Sequence, residues 1–145
     1  MRSRYSAYAT QKTQWILDTT HPDSPEWNPE SGDSLEGNAK TTGQFYEFRN
    51  LEIVADDKGD KPGEAFVTFA AEMSLRGKRG LSDKGAKEWK AFSERSRFVK
   101  GDDGKWMYID QDMKYDPKTA QASNTLESRM AGKADAQRAQ GKARD

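Results

Sequence analysis

The sequence predicts an α+β fold in which N-terminal helices pack on a curved antiparallel sheet. Three observations carry this. Helical spacing of apolar residues is confined to the first twenty positions. Three or more strand-like runs follow, separated by turn residues. The best of them, 65–76, alternates strictly, with Val67, Phe69, Ala71, Met73 and Leu75 on one side and Phe66, Thr68, Ala70, Glu72 and Ser74 on the other. Helices first and strands afterwards, rather than alternating units, is the pattern of an α+β domain.

Residues 3–20 read as helix. Tyr5, Tyr8, Ala9, Trp15 and Ile16 recur near the helical period, and Ser3 is placed to cap the start. The polar stretch Thr10-Gln11-Lys12-Thr13 is the point at which this helix can break in two. Pro22 ends it, because a proline disfavours helical geometry in the residue before it. Residues 22–42 read as loop, with Pro22, Pro25 and Pro29, several acids and Trp27 as an anchor to the body.

Strands are then expected over 45–55, 65–76, 91–100 and 105–110. Turns are expected at 56–63 and at Asp102-Asp103-Gly104, with a longer Gly/Lys-rich connection over 77–90. On 91–100 the residues Phe92, Glu94, Ser96 and Phe98 share a face. On 105–110 Trp106 and Tyr108 share one. From Met113 the chain is polar and leans basic, so the domain is expected over 1–112 and the remainder, 113–145, as a disordered or partly helical tail.

Composition narrows the function classes. The chain has 145 residues, suiting one domain, and its 24 basic and 24 acidic residues cancel, so no global field attracts nucleic acid or an anionic membrane. With no cysteine there is neither a disulfide nor a thiolate metal site, and no cofactor or metal motif is present. No apolar run suits a secretion signal or a bilayer span. A soluble intracellular protein is the expectation, with a small ligand or a protein as partner.

Two segments far apart carry a more specific signal. The first is Arg2-Ser3-Arg4-Tyr5-Ser6-Ala7-Tyr8, followed by His21-Pro22. The second is Glu94-Arg95-Ser96-Arg97-Phe98, followed by Trp106, Tyr108 and Asp110. In these residues and their order, residues 1–112 resemble the YchJ-like middle domain of the nuclear transport factor 2-like superfamily. The resemblance implies a cystatin-like α+β cone with a cavity between helix and sheet, and in many superfamily members a homodimer through the sheet. Bacterial members flank the domain with Cys-rich, zinc-binding SEC-C motifs. This sequence has no Cys, so that metal binding does not carry over. The resemblance implies a fold and no particular activity.

The candidate site residues are Arg4, Tyr5, Tyr8, His21, Glu94 and Tyr108. An arginine in the first turn of a helix opposes the helix dipole and needs a partner. That partner is Glu94 or backbone carbonyls; Glu94, placed among Phe92 and Phe98, is the natural one, and the pair would lock helix to sheet. The alternative is that Arg4 holds an anionic ligand through its planar fork. Glu94 is a candidate acid or base if burial raises its pKa, a role that a tight pair with Arg4 would defeat. His21, the only histidine, is the other acid–base candidate, with Asp18 one helical turn away. Some superfamily enzymes use a His–Asp dyad or a lone Asp in the cavity. Tyr5, Tyr8, Trp15, Trp106 and Tyr108 serve either as core or as the lining of a ligand pocket, with the tyrosine hydroxyls as its polar groups. Arg76, Lys78, Arg79, Lys84 and Lys87, near Trp89, form a local basic cluster that reads as a solvated loop or as a weak contact for nucleic acid or an acidic partner. Two function classes therefore stand: a non-catalytic binding or accessory module, and a small hydrolase-, isomerase- or dehydratase-like enzyme using His21 or Glu94.

Overall fold

The computed structural model describes residues 1–28 and 32–118. Met1–Asp112 forms one compact unit, and a second begins at Met113. Most of the expected tail lies outside the described residues.

The chain opens with α1 (Arg2–Ala9) and α2 (Thr13–Asp18). They are separated where the polar stretch predicted a break, at Thr10–Lys12, and Gln11 there takes a left-handed φ of 60°. Ser3 does not cap the helix; the cap position is Met1 and Ser3 lies within the first turn. A 3₁₀ turn, Pro25–Trp27, follows.

The expected loop over 22–42 is corrected by a third helix, α3 (Leu35–Phe45). The Ser34 hydroxyl accepts the Gly37 amide at 3.0 Å, an N-cap bond. Leu35, Ala39 and Gly43 then recur every fourth residue and are all buried. Gly43 is required by a close approach: a Cβ there would stand 3.2 Å from the Tyr8 carbonyl and 3.1 Å from Gln11. Ala7, Ile16, Leu35 and Ala39 make a small core among the three helices, with Tyr8, Leu17 and Trp27 packed against it.

The sheet is antiparallel, open, and in the order β1 (Tyr46–Lys58), β2 (Glu64–Leu75), β3 (Lys90–Lys100), β4 (Trp106–Gln111). Two irregularities interrupt the pairing of β1 with β2, between Arg49 and Glu52 and between Ile53 and Ala55. At the first, Asn50 adopts φ 57°, a conformation Asn tolerates better than most residues. Its amide donates to Glu72 at 2.6 Å, beside Arg49 at 3.3 Å. Bulges of this kind bend a strand and curve its sheet.

The concave side faces the helices. Val67 pairs with Ser96, Phe69 with Glu94 and Ala71 with Phe92, so one face, apolar except for Glu94 and Ser96, spans two strands. The alternation in β2 left open whether Val67, Phe69, Met73 and Leu75 form core or a dimer surface. Phe69 and Met73 line the inner pocket, while Leu75 is exposed. The outer face is polar. Arg97 holds Asp110 in a two-point bond at 2.7 and 2.6 Å and reaches Glu64 at 3.2 Å. Arg95 lies 3.9 Å over the Phe66 ring and bonds Asp112 at 2.6 Å.

Two members of the basic cluster, Arg76 and Lys87, are tied into the fold. Arg76 donates to the Gly43 carbonyl at 2.9 Å and the Ala9 carbonyl at 3.2 Å, closing the C-terminal ends of two helices. Lys87 pairs with Glu47 at 2.7 Å. Trp89 is covered by the Arg49 guanidinium at 4.0 Å. No helix among the described residues is long and apolar enough to cross a membrane.

Candidate functional site

Between α1 and the inner face of the sheet lies a pocket of about 360 Å³. Its walls are aromatic because all four strands place aromatic residues inward. Tyr5 meets Phe48 edge-on with ring centroids 5.9 Å apart, Phe48 meets Phe92 at 6.2 Å, and Phe92 meets Phe69 at 6.0 Å. Phe98 and Tyr108 form another such pair at 5.9 Å. Such edge-to-face contacts fix ring positions beyond what burial alone does.

One end of the pocket is polar, built from Arg4, Tyr8, Glu26, Glu94, Ser96 and Tyr108. Thus five of the six candidate site residues, Arg4, Tyr5, Tyr8, Glu94 and Tyr108, lie on its wall, whereas Trp15 and Trp106, expected as core or lining, are exposed and outside it.

Arg4 is 7% exposed and does not bond Glu94. Its Nη1 donates to the Ile16 carbonyl at 3.1 Å, the Thr19 hydroxyl at 2.8 Å and the Thr20 hydroxyl at 2.9 Å. The break after α1 folds α2 back, so that the carbonyl end of α2 becomes the partner Arg4 needs. A cation is favoured there by the helix dipole. The guanidinium also lies 4.5 Å over the Tyr108 ring. The expected Arg4–Glu94 lock is therefore replaced by a lock between two helices.

Glu94 instead accepts the Ser96 hydroxyl at 2.6 Å. Burial pushes its carboxyl above the ordinary glutamate value. The Ser96 bond opposes this, Glu26 adds to it, and Arg4 pulls the other way. The Tyr108 hydroxyl donates to Glu26 at 2.8 Å. Burial, with the charges of Glu26 and Glu94, holds that phenol well above the usual tyrosine range. Burial likewise raises Tyr8.

Glu94 gives a direct prediction. Its raised pKa means that the folded chain binds this proton more tightly than the unfolded one. The stability so conferred is full below the unfolded-state value and is lost as pH rises through the folded-state value. Glu94→Gln, which stays neutral and can still accept from Ser96, is expected to be more stable than the parent at neutral pH. That margin should disappear below about pH 4. Urea titrations at both pH values check this; a margin that does not change with pH contradicts it.

His21 is not in the pocket. Its backbone amide donates to the Tyr108 carbonyl at 2.7 Å, and its carbonyl accepts the Trp27 indole at 2.8 Å. The ring Nδ1 accepts the Asp23 amide at 3.0 Å. The Asp23 carboxylate stands 3.9 Å from the same nitrogen, but an acceptor Nδ1 carries no proton to offer it. Asp18 turns elsewhere, accepting from Gln14 at 2.8 Å. The reason is local: α2 ends at Asp18, so the two residues no longer share a helix face. His21 is a splice between the first β4-facing turn and the sheet edge, and the His–Asp dyad does not form.

Glu26 and Thr42 are pocket residues that sequence reasoning missed, and Glu26 is the charged one. The signal was Ser24-Pro25-Glu26: Ser24 caps the 3₁₀ turn, accepting the Glu26 amide at 3.2 Å, and Pro25 occupies its first position. The buried Ser24 hydroxyl also donates to the Ile109 carbonyl. Trp27 anchors the turn, as its size suggested. Among the described residues no cluster of three or more His, Cys, Asp or Glu is placed to hold a metal ion.

Comparisons with known proteins agree with this architecture. The family model described as YchJ, middle NTF2-like domain, matches residues 1–111. A UPF0225 protein of Serratia proteamaculans is 37% identical over 112 residues, which cover 76% of this chain and 62% of that protein. A UPF0225 protein of Vibrio vulnificus is 32% identical over 131 residues, covering 87% of this chain and 68% of that one. Among solved structures, a SEC-C motif containing protein of Rhodopseudomonas palustris superposes with a TM-score of 0.56 at 24% identity, over 77% of this chain and 73% of that one. A second, from Psychrobacter arcticus, gives a TM-score of 0.56 at 25% identity, over 76% and 56%. The chain thus spans less than two thirds of the Serratia relative, and the match is to the part built as helices followed by a curved, unclosed sheet. With the family model spanning 1–111 and that fold in place, this chain belongs to the YchJ middle, NTF2-like domain family.

Proposed function

We propose that this domain is a non-catalytic binding module that takes a small ligand into the cavity between α1 and the sheet. The observation that carries the reading is the pocket itself. An aromatic wall with a few converging polar groups is the usual make-up of a small-molecule site, and about 360 Å³ falls in the range such sites occupy. A domain needing only stability would fill that space with side chains, since protein interiors pack closely.

A fragment screen by protein-observed NMR tests this. Binders are expected to shift the amides of Tyr5, Phe69, Phe92 and Tyr108. Thr42→Trp, which adds bulk at a half-exposed wall position on α3, is expected to weaken them at least about tenfold by occlusion. Binders that ignore this plug, or none at the pocket amides, would remove the reading.

The raised carboxyl of Glu94 favours one second reading, an acid–base enzyme of the hydrolase, isomerase or dehydratase type. His21 has no part in it. The two readings separate on Glu94→Gln, which abolishes turnover in an enzyme and only changes affinity in a binding module.

A further inference from the structure

The polar end of the pocket has an unequal distribution of engaged charge. Its cationic side chain, Arg4, is held at one nitrogen and one face: three bonds from Nη1 go to the end of α2 and Thr20, and the guanidinium lies over the Tyr108 ring. An arginine so held positions helices: all three bonds leave from one nitrogen of its fork, and at this end of the pocket two carboxylates outnumber it. The two carboxylates are less engaged. A carboxylate has about four acceptor sites. Glu94 receives the Ser96 hydroxyl and Glu26 receives the Tyr108 hydroxyl. Both line the pocket, and the two repel each other, as the upward push of Glu26 on Glu94 records.

Around them stand the electron-rich ring faces of Tyr5, Tyr8, Phe48, Phe92 and Phe98. Aromatic rings bordering carboxylates in a partly dry pocket suit a positive charge: the rings attract it through their quadrupoles and the carboxylates through direct pairing. An anion in the same place would meet two like charges.

We infer that the pocket selects organic cations, an ammonium group carried on an apolar body, with Glu94 and Glu26 receiving the ammonium and the aromatic wall receiving the body. This rests on the binding-module reading and narrows it to a ligand class. The ammonium donates to the free acceptor sites of the two carboxylates and relieves their repulsion. The apolar part covers the Phe48–Phe92–Phe69 row.

Three probes of nearly equal shape test the inference: phenethylammonium, phenethyl alcohol and hydrocinnamate, each titrated into the protein and followed by NMR shifts of the pocket amides. The expected result is that the ammonium binds about tenfold more tightly than the alcohol, with the carboxylate weakest. Glu94→Gln, whose folding is checked by its thermal midpoint, should erase most of the ammonium's advantage over the alcohol. Equal or better binding of the alcohol or the carboxylate overturns the cation inference while the binding-module reading survives. An ammonium preference that persists in Glu94→Gln and Glu26→Gln alike also overturns it. Failure of all three probes to move any pocket amide counts against both.

Discussion

Replacing Arg4 with alanine is expected to cost about 3 kcal/mol, because three acceptors at the end of α2 lose a charged donor inside a buried site. The estimate sits between the value of a single bond to a charged group and the sum of three, since the three share one nitrogen and the acceptors partly satisfy one another. The Thr20 hydroxyl already donates to the Ile16 carbonyl at 2.7 Å. Arg4→Lys is expected to recover less than half, as an ammonium has neither the planar face that lies on Tyr108 nor the same reach. Because the partners form one network, Thr20→Val in the Arg4→Ala background should cost much less than Thr20→Val alone. Urea midpoints of the four chains measure this. Full recovery by lysine, or simple additivity, would show that the network does not act as described.

Ile16→Ala is expected to cost a further large amount, about 3 kcal/mol, with Ile16→Val near 1. Ile16 is 1% exposed and is the largest wholly buried apolar side chain, in a core whose other main members are two alanines and one leucine. Small neighbours fixed on three short helices cannot move in to fill the space. The same truncation on the pocket wall, Phe92→Ala, should cost less than burial alone would suggest, because part of that ring already borders open space. Denaturant unfolding that ranks Ile16→Ala below Phe92→Ala would place the main core in the sheet face instead of among the helices.

The parts of this fold that were legible were those set by a single repeating pattern. The β2 alternation fixed which residues share a face, and the same parity on β3 put Phe92, Glu94, Ser96 and Phe98 on the pocket side. The break at Thr10–Lys12 was visible because no apolar residue continues the helix across it. Three things were not. Helix α3 has two internal glycines and apolar anchors only at Leu35 and Ala39, so its period is carried by small residues whose burial depends on a neighbouring helix. On β4 the pairing slips between Arg97 and Phe98, so Tyr108 faces inward with Phe98 while Asp110 joins Arg97 on the outer face. A one-residue slip reverses parity, and no counting along the strand reveals it. The Arg4–Glu94 pair failed because charge complementarity in one dimension ignores the closer partner, the carbonyl end of a helix folded back on the first. That partner exists only because the helix breaks.

The bulges of β1 have a consequence outside the site. An open four-stranded sheet has two edges, and β1 is a long one, Tyr46–Lys58. A flat edge of that length would present a row of amides and carbonyls on which another chain could build. Here the strand is kinked at Asn50, and its far end carries Asp56, Asp57 and Lys58. The opposite edge is short and is partly closed by the Thr20–Tyr108 bridge and the His21 amide. The irregularity that gives the sheet its curvature thus also guards the molecule against templated growth. Straightening it, by a substitution that abolishes the left-handed turn at Asn50, would flatten the concave face and lengthen the edge open to pairing.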